Sequence, residues 1–166
     1  MSRRRQRKKN DMKFAILTIS DTRDLADDPS GDILAELASA IGEAASRELV
    51  TDDRDAIIAK LRELCQRADI DCVLTTGGTG FAARDNTPEA TRAVIDREAP
   101  GIAEAMRRES ARHTPFAMLS RAVSGISGTT LIVNMPGKPN AVEECFEVIR
   151  PVLKHAVELL SGRTAH

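Results

Sequence analysis

Asp71-Cys72-Val73-Leu74-Thr75-Thr76 runs without a break into Gly77-Gly78-Thr79-Gly80. A short run of apolar and β-branched residues that stops at glycines reads as a strand buried on both faces, as in a parallel sheet. Three glycines in the next four positions leave backbone N–H groups uncovered by side chains. They also permit the positive φ angles that turn those groups inward, which makes a cradle for an anion. The Thr75, Thr76 and Thr79 hydroxyls add donors. A tight turn that merely needs glycine is the other reading.

Working outward, the same grammar repeats. Upstream, Ile57, Ile58, Leu61, Leu64, Cys65 and Ala68 recur at helical spacing, so Arg54 to Arg67 is a helix. Ala44–Val50 is a weak strand that ends at Thr51-Asp52-Asp53. Before it, Ile33, Leu34, Leu37, Ala38 and Ile41 form a helical stripe with Ser30 as the expected N-cap and Gly42 as the stop. Phe14–Ser20 is another continuously apolar strand. Downstream, Thr87-Pro88 starts a helix, with Thr as N-cap and Pro at the first helical position. Pro100-Gly101 divides it from a second helix over about Ile102 to Arg112. Leu119–Ser124 and Thr129–Asn134 read as strands joined by a tight turn at Gly125-Ile126-Ser127-Gly128. A long last helix carries Val142, Cys145, Phe146, Ile149, Val152, Leu153, Ala156 and Leu160 on one face, and Pro151 should bend it. Strands alternating with helices over short loops predict an α/β sandwich with a mostly parallel sheet.

Composition narrows the function classes. The 166 residues suffice for one domain with a real core, and no stretch is apolar enough to span a membrane. Six of the 24 basic residues lie within residues 1–9; the other 18 face 25 acidic residues, so the body carries −7. That sign argues against a nucleic-acid partner. Without Trp or Tyr, and with four Phe, a base-stacking platform is excluded as well. The basic segment 1–11 reads as a solvated tail outside the domain, which spans 12–166. Cys65, Cys72 and Cys145 form no CxxC and no metal-ligand spacing with histidine, so they read as small core residues in a reducing, cytoplasmic protein. His113 and His155 belong to no catalytic pattern.

In a parallel sheet, ligands bind where loops leave the carboxyl ends of strands. Four such loops hold the polar residues of interest: Ser20–Arg23, Thr51–Asp53, Thr76–Thr87 and Asn134–Asn140. The glycine loop lacks the lysine of GxxxxGK[ST]. Gly78 to Ala83 fits GxGxxA only loosely, because the helix opens too late, at Thr87. Asp85 lies between the glycines and that helix, where a carboxylate can hold magnesium against bound phosphates; Asp52, at the end of another strand, is the second candidate. Helix capping or turn formation is the alternative for both. Pro136-Gly137-Lys138-Pro139-Asn140 offers a cation and a helix N-terminus to a second anion, or is an ordinary turn.

Four blocks, in order and over about residues 13–161, resemble the MogA/MoaB family of molybdenum-cofactor biosynthesis, whose module also forms the G domain of gephyrin. They are Thr75-Thr76-Gly77-Gly78-Thr79-Gly80, Arg84-Asp85-Asn86-Thr87-Pro88-Glu89-Ala90, Leu119-Ser120-Arg121-Ala122 and Asn134-Met135-Pro136-Gly137-Lys138-Pro139-Asn140-Ala141. Ile19-Ser20-Asp21-Thr22-Arg23 is closer to the MoaB branch. The resemblance implies a three-layer α/β domain that assembles as trimers or hexamers. It also implies adenylylation of molybdopterin by magnesium-ATP, with pyrophosphate released; a non-catalytic molybdopterin-binding or assembly module is the alternative. On that resemblance the two essential aspartates fall on Asp52 and Asp85, with Asp53 adjoining the first and able to replace it in register. Thr76, Gly77, Gly78, Thr79, Gly80 and Asp85 would handle nucleotide and magnesium. Ser20, Asp21, Ser120, Arg121, Pro136, Gly137, Lys138 and Asn140 would line the pterin and phosphate side. The nucleophile in such a transfer is the substrate's own phosphate, largely dianionic at neutral pH, so the chain needs no catalytic His, Cys or Ser.

Overall fold

In the computed structural model, which describes residues 12–163, six strands form one sheet in the order β2-β1-β3-β6-β5-β4. The elements are β1 (Lys13–Ile19), α1 (Pro29–Ser39), β2 (Glu43–Val50), α2 (Arg54–Gln66), β3 (Cys72–Thr76), α3 (Thr87–Val94), β4 (Arg97–Glu98), α4 (Pro100–Ser110), a 3₁₀ turn (Pro115–Leu119), β5 (Ser124–Ser127), β6 (Thr130–Met135) and α5 (Pro139–Leu160). β2, β1, β3 and β6 run parallel, and β5 and β4 return antiparallel. The expected α/β sandwich is therefore present, with an antiparallel edge. The basic tail assigned to residues 1–11 lies outside the described residues.

Alternation along the central strands sorts the side chains into two cores. Phe14, Ile16, Cys72, Leu74, Leu131 and Val133 face α1, α4 and α5. Ala15, Leu17, Ile19, Val73 and Ile132 face α2 and α3. Both faces are covered, which is why β1 and β3 read as unbroken apolar runs rather than alternating ones. The result is three layers. The chain leaves β1 for β2 on one side and returns to β3 on the other, so the sheet reverses its winding between β1 and β3. Loops there part and open a crevice at the carboxyl edge.

Several local expectations shift. Helix α1 is capped by Asp28, not Ser30: the buried Asp28 carboxylate accepts the Gly31 amide (3.1 Å) and pairs with Arg47 and the Thr18 hydroxyl. Ser30 instead donates to Gly137 O (2.6 Å), joining the start of α1 to the β6–α5 loop. Thr87 is the first residue of α3 rather than its cap, and its hydroxyl donates to Gly77 O. That helix ends at Val94, far earlier than expected, and the short strand β4 intervenes before α4 begins at Pro100. Leu119 ends the 3₁₀ turn instead of starting a strand. The hairpin turns at Gly128-Thr129, with Gly128 at φ +60°. Gly125 lies inside β5, where a Cβ would collide with Ile95, so close packing rather than turning requires glycine there. Helix α5 continues through Pro151 to Leu160.

Cys72 and Cys145 are buried and Cys65 is partly so, all unpaired; burial pushes the Cys65 thiol up to about 11. Thiols so protonated are packing groups, not nucleophiles. No described helix is long and apolar enough to cross a membrane.

Candidate functional site

All four loops named from the sequence meet at the carboxyl edge of β2, β1, β3 and β6, because these strands are parallel and in register. The glycine loop is built by holding its carbonyls back. Gly77 O accepts the Thr87 hydroxyl (2.9 Å) and Gly78 O accepts the Thr87 amide (3.1 Å). Thr79 O accepts the Arg121 amide (2.8 Å) and Gly80 O the Arg121 Nε (2.8 Å). A planar trans peptide points its N–H opposite its C=O. Each tethered carbonyl therefore aims the following amide the other way. The amides of Gly78, Thr79, Gly80 and Phe81 donate to no group among the described residues. Gly77 and Gly78 take φ of +101° and +69°, the conformation only glycine enters freely.

The β6–α5 loop repeats the device. Pro136 O accepts the Thr76 hydroxyl (2.7 Å) and Gly137 O accepts the Ser30 hydroxyl (2.6 Å), so the Gly137 and Lys138 amides face away from both. Thr76, a candidate phosphate ligand, is thus buried and ties the two loops together. α5 begins just beyond, at Pro139, adding the positive end of a helix.

Two carboxylates flank the glycines. Asp52 Oδ1 lies 3.3 Å from where a Cβ on Gly78 would sit, and Asp85 Oδ2 lies 2.9 Å from the equivalent point at Gly80. Asp85 Oδ2 also accepts the Ala82 amide (2.9 Å), which fixes the descending limb of the loop. Of the adjacent pair Asp52 and Asp53, the second caps α2 by accepting the Ala56 amide (2.8 Å). That leaves Asp52 as the residue turned to the site.

Asp21 and Asp52 exchange amide-to-carboxylate hydrogen bonds (2.9 and 3.0 Å), locking the ends of β1 and β2. Arg84 reaches from the glycine loop to grip Asp21 with both Nε (2.5 Å) and Nη2 (2.9 Å). The guanidinium hydrogen bonds, helped by the Asp52 amide, hold the Asp21 carboxyl below its ordinary range. Asp52 is pushed the other way. Partial burial is the main cause, and the charges of Asp21 and Asp85 add to it. Arg84 thus balances Asp21 directly, while the Asp21 and Asp85 charges act together on Asp52.

A cavity of about 460 Å³ opens beside Asp85. Gly78, Thr79, Gly80, Asp85, Ser120, Pro136, Gly137 and Lys138 line its polar end. Ser20, Asp21 and Asp52 form the adjoining cluster, joined to it through Gly78 and Arg84. Asn140 is exposed on the first turn of α5, and Arg121 sits behind the glycine loop; neither lines the cavity. The far wall was not foreseen: Met106, Ser110, Ala117 and Cys145, from α4, the 3₁₀ turn and α5, make it largely apolar. Nothing local marks those residues, since only the docking of α4 against α5 brings them there. Arg84 and Asn86, whose Nδ2 donates to Asp52 O (2.9 Å), stood in a quoted motif without a role.

Raised protonation of Asp52 has a sign that can be measured. Its folded pKa exceeds the unfolded value near ~4, so the folded state holds the extra proton between the two. Its contribution to stability is therefore most favourable below the unfolded pKa and is lost as pH rises through the folded one. At pH 7.5 the ionised Asp52 destabilises the fold, and Asp52→Asn should melt higher than the parent. The gap should close as pH falls toward 4. Paired thermal melts at the two pH values decide it; an Asn variant that melts lower at pH 7.5 contradicts the electrostatic reading.

A family model described as a probable molybdopterin binding domain matches residues 15–155. Molybdenum cofactor biosynthesis protein B of Halalkalibacterium halodurans is 40% identical over 157 residues, covering 92% of each chain. Molybdopterin adenylyltransferase of Helicobacter pylori is 45% identical over 115 residues, 69% of this chain and 65% of that one. The crystal structure of the molybdopterin biosynthesis enzyme MoaB from Thermus thermophilus superposes with a TM-score of 0.83 at 44% identity, covering 91% of this chain and 97% of that one. The chain spans between a quarter and about two thirds of the length of several curated relatives that it matches. With a matched domain over most of its length and the same three-layer fold, the chain belongs to the molybdopterin-binding domain family that includes the MoaB and Mog proteins.

Proposed function

We propose that this cleft transfers the adenylyl group of ATP to the phosphate of molybdopterin. An oxygen of the molybdopterin phosphate bonds to the α-phosphorus of ATP. The α–β bridging bond breaks, and its electron pair leaves with pyrophosphate. The observation that carries the reading is the pairing of two loops, each with its carbonyls tethered outward and its amides free, around Asp52 and Asp85. Such a site suits a reaction in which two anions must be brought together.

The difficulty of the step is charge repulsion, not the strength of a nucleophile. Amides of Gly78–Phe81 and of Gly137–Lys138 supply fixed positive ends of dipoles, and the Lys138 ammonium adds a full charge at the cavity. Fixed donors need no rearrangement as charge shifts from one phosphate to the leaving pyrophosphate. Asp52 and Asp85 fit magnesium, which takes one or two carboxylates and completes its shell with phosphate oxygens and water. Among the described residues no group of three or more His, Cys, Asp or Glu could hold a metal by itself, so an ion there would need substrate oxygens in its shell. When bound there, magnesium would neutralise phosphate charge. The apolar wall of Met106, Ala117 and Cys145 gives the flat, uncharged part of a ligand a surface against which to bury. Assembly into a homotrimer or hexamer belongs to the same reading. Phe116 at the cavity and Met118 in the same 3₁₀ turn, each 75% exposed, are apolar surface that another copy would cover.

The test is to incubate the protein with ATP and molybdopterin and to follow pyrophosphate release and adenylyl-molybdopterin by mass. Both products should appear in equal amounts with magnesium, and neither with a chelator. Molybdopterin binding without pyrophosphate at saturating ATP would replace this reading with that of a non-catalytic carrier.

A further inference from the structure

Arg121 lies in the extended segment between the 3₁₀ turn and β5, and it reaches the glycine loop from behind. Its amide donates to Thr79 O (2.8 Å), its Nε to Gly80 O (2.8 Å) and its Nη2 to Asp85 O (2.7 Å). Its Nη1 pairs with the Glu89 carboxylate on the first turn of α3. One planar group thus holds both limbs of the loop, the glycine run going in and Asp85 coming out.

We propose that Arg121 is a positioning residue of this site: its guanidinium sets the direction of the Phe81 amide, at the end of the glycine run, and the placement of Asp85 without itself binding substrate. The inference rests on the adenylyl-transfer reading. Its physical basis is peptide planarity. Thr87 holds the carbonyls of Gly77 and Gly78 and so orients the amides of Gly78 and Thr79. The Arg121 main-chain amide, which any residue there supplies, holds Thr79 O and so orients the Gly80 amide; its guanidinium holds Gly80 O and so orients the amide of Phe81. Among the described residues these are the side-chain hydrogen bonds that the Gly80 and Asp85 carbonyls accept. Glu89 keeps the fork in place by neutralising it, and the contact holds the Glu89 carboxyl below its ordinary range despite partial burial.

The family resemblance implied that Arg121 lines the pterin and phosphate side. The structure gives it a different task. A guanidinium beside an anion site ordinarily aims its donors at the anion; here three of its nitrogens are engaged by two carbonyls and a carboxylate, and the residue is absent from the cavity wall. Lysine cannot take its place. A single ammonium is a point donor and cannot reach two divergent carbonyls and a carboxylate in one plane.

Three variants of the full chain test the proposal: Arg121→Ala, Arg121→Lys and Glu89→Gln. Each is assayed for pyrophosphate release and for deuterium uptake of the segment 77–89 without substrate. In that segment the Gly77, Ala82, Asp85 and Thr87 amides are hydrogen-bonded and will exchange faster if the loop is released. Arg121→Ala should raise uptake there and lower kcat about a hundredfold, with the KM for molybdopterin changed little, as for misplacement of groups by an ångström or so. Millimolar guanidinium should restore part of the rate and slow the exchange, whereas ammonium should do neither. Arg121→Lys should recover no more than about a tenth of the parental rate, and Glu89→Gln should fall between.

Parental uptake together with parental kcat in Arg121→Ala overturns the proposal. Faster exchange with an unchanged rate also overturns it, since the loop is then anchored to no catalytic purpose. A large rise in the molybdopterin KM with unchanged exchange makes Arg121 a direct substrate ligand instead. If Arg121→Ala does not fold, Arg121→Lys carries the same readouts. If the parental protein releases no pyrophosphate at all, adenylyl transfer fails while the exchange data still decide whether Arg121 holds the loop.

Discussion

Asp85→Asn is expected to lower kcat for pyrophosphate release about a thousandfold, the loss typical of removing one group that stabilises charge in a transfer reaction. Asparagine has the shape of aspartate and keeps an oxygen able to accept the Ala82 amide, so the turn that Asp85 makes with Ala82 survives. Only the charge goes. The melting temperature should therefore stay close to that of the parent, and excess magnesium should not bring the rate back. Asp85→Ala removes the acceptor as well and should loosen the loop in addition. Asp85→Glu is equally instructive. With Asp85 Oδ2 already 2.9 Å from the space above Gly80, one more methylene must displace the carboxylate from its place beside the glycines. A parental rate in Asp85→Asn, assayed with saturating ATP and molybdopterin, would remove Asp85 from the reaction.

The charge arrangement explains why the two aspartates are not equivalent. Asp52 is held by the Asp21 amide inside a cluster of like charge and is pushed toward protonation. Asp85 stands on the other side of the glycine run, next to the cavity. Burial is the larger part of that shift and would remain in a substrate complex; a cation brought in there would offset the part owed to the charges of Asp21 and Asp85. Arg84 moderates the same field through Asp21, from a side chain 61% exposed. Stability and function thus pull against each other at Asp52, as expected where a site must attract positive charge.

Much of this was legible in the chain because the signals are local or periodic. β1 and β3 announce themselves by unbroken apolar residues, and parallel pairing then forces their carboxyl-end loops to one edge. The glycines are visible as glycines. What stayed hidden depends on distant partners. Asp28 and Ser30 both suit a helix N-terminus, and only the docking of Ser30 on Gly137 assigns the cap to Asp28. Gly125 and Gly128 both suit a turn, and the packing of Ile95 assigns the turn to Gly128. Asp52 and Asp53 became distinguishable once Asp53 was seen to cap α2. Arg121 was placed on the pterin and phosphate side by the family resemblance alone; its partners are two backbone carbonyls and the Glu89 carboxylate, which no sequence pattern records.

The glycine run itself supports a second large effect. Gly78→Ala should abolish most activity and cost about 2–3 kcal/mol, a sum of two separable terms. The first is backbone strain: at φ +69° an L-residue costs about 1–2 kcal/mol. The second is collision. A Cβ at position 78 would overlap the Thr87 hydroxyl and press on Asp52 Oδ1 at 3.3 Å. Thr87 is fully buried, so its hydroxyl must turn away and abandon Gly77 O, at about 1 kcal/mol for the lost hydrogen bond. For a chain of this size the total corresponds to a fall in Tm of roughly 4–12 °C. Gly128→Ala isolates the first term, because Gly128 has φ +60° but nothing within 4 Å of its missing Cβ. Gly128→Ala should therefore lose only the strain component and retain full activity, being in the β5–β6 turn away from the carboxyl edge. Equal losses of stability in the two variants, with activity intact in both, would mean that Thr87 and Asp52 do not meet over Gly78. The tethering of the loop's carbonyls would then lose its first anchor. Activity lost in Gly78→Ala alone, with a Tm well below that of Gly128→Ala, ties the orientation of the glycine amides to catalysis through one hydroxyl.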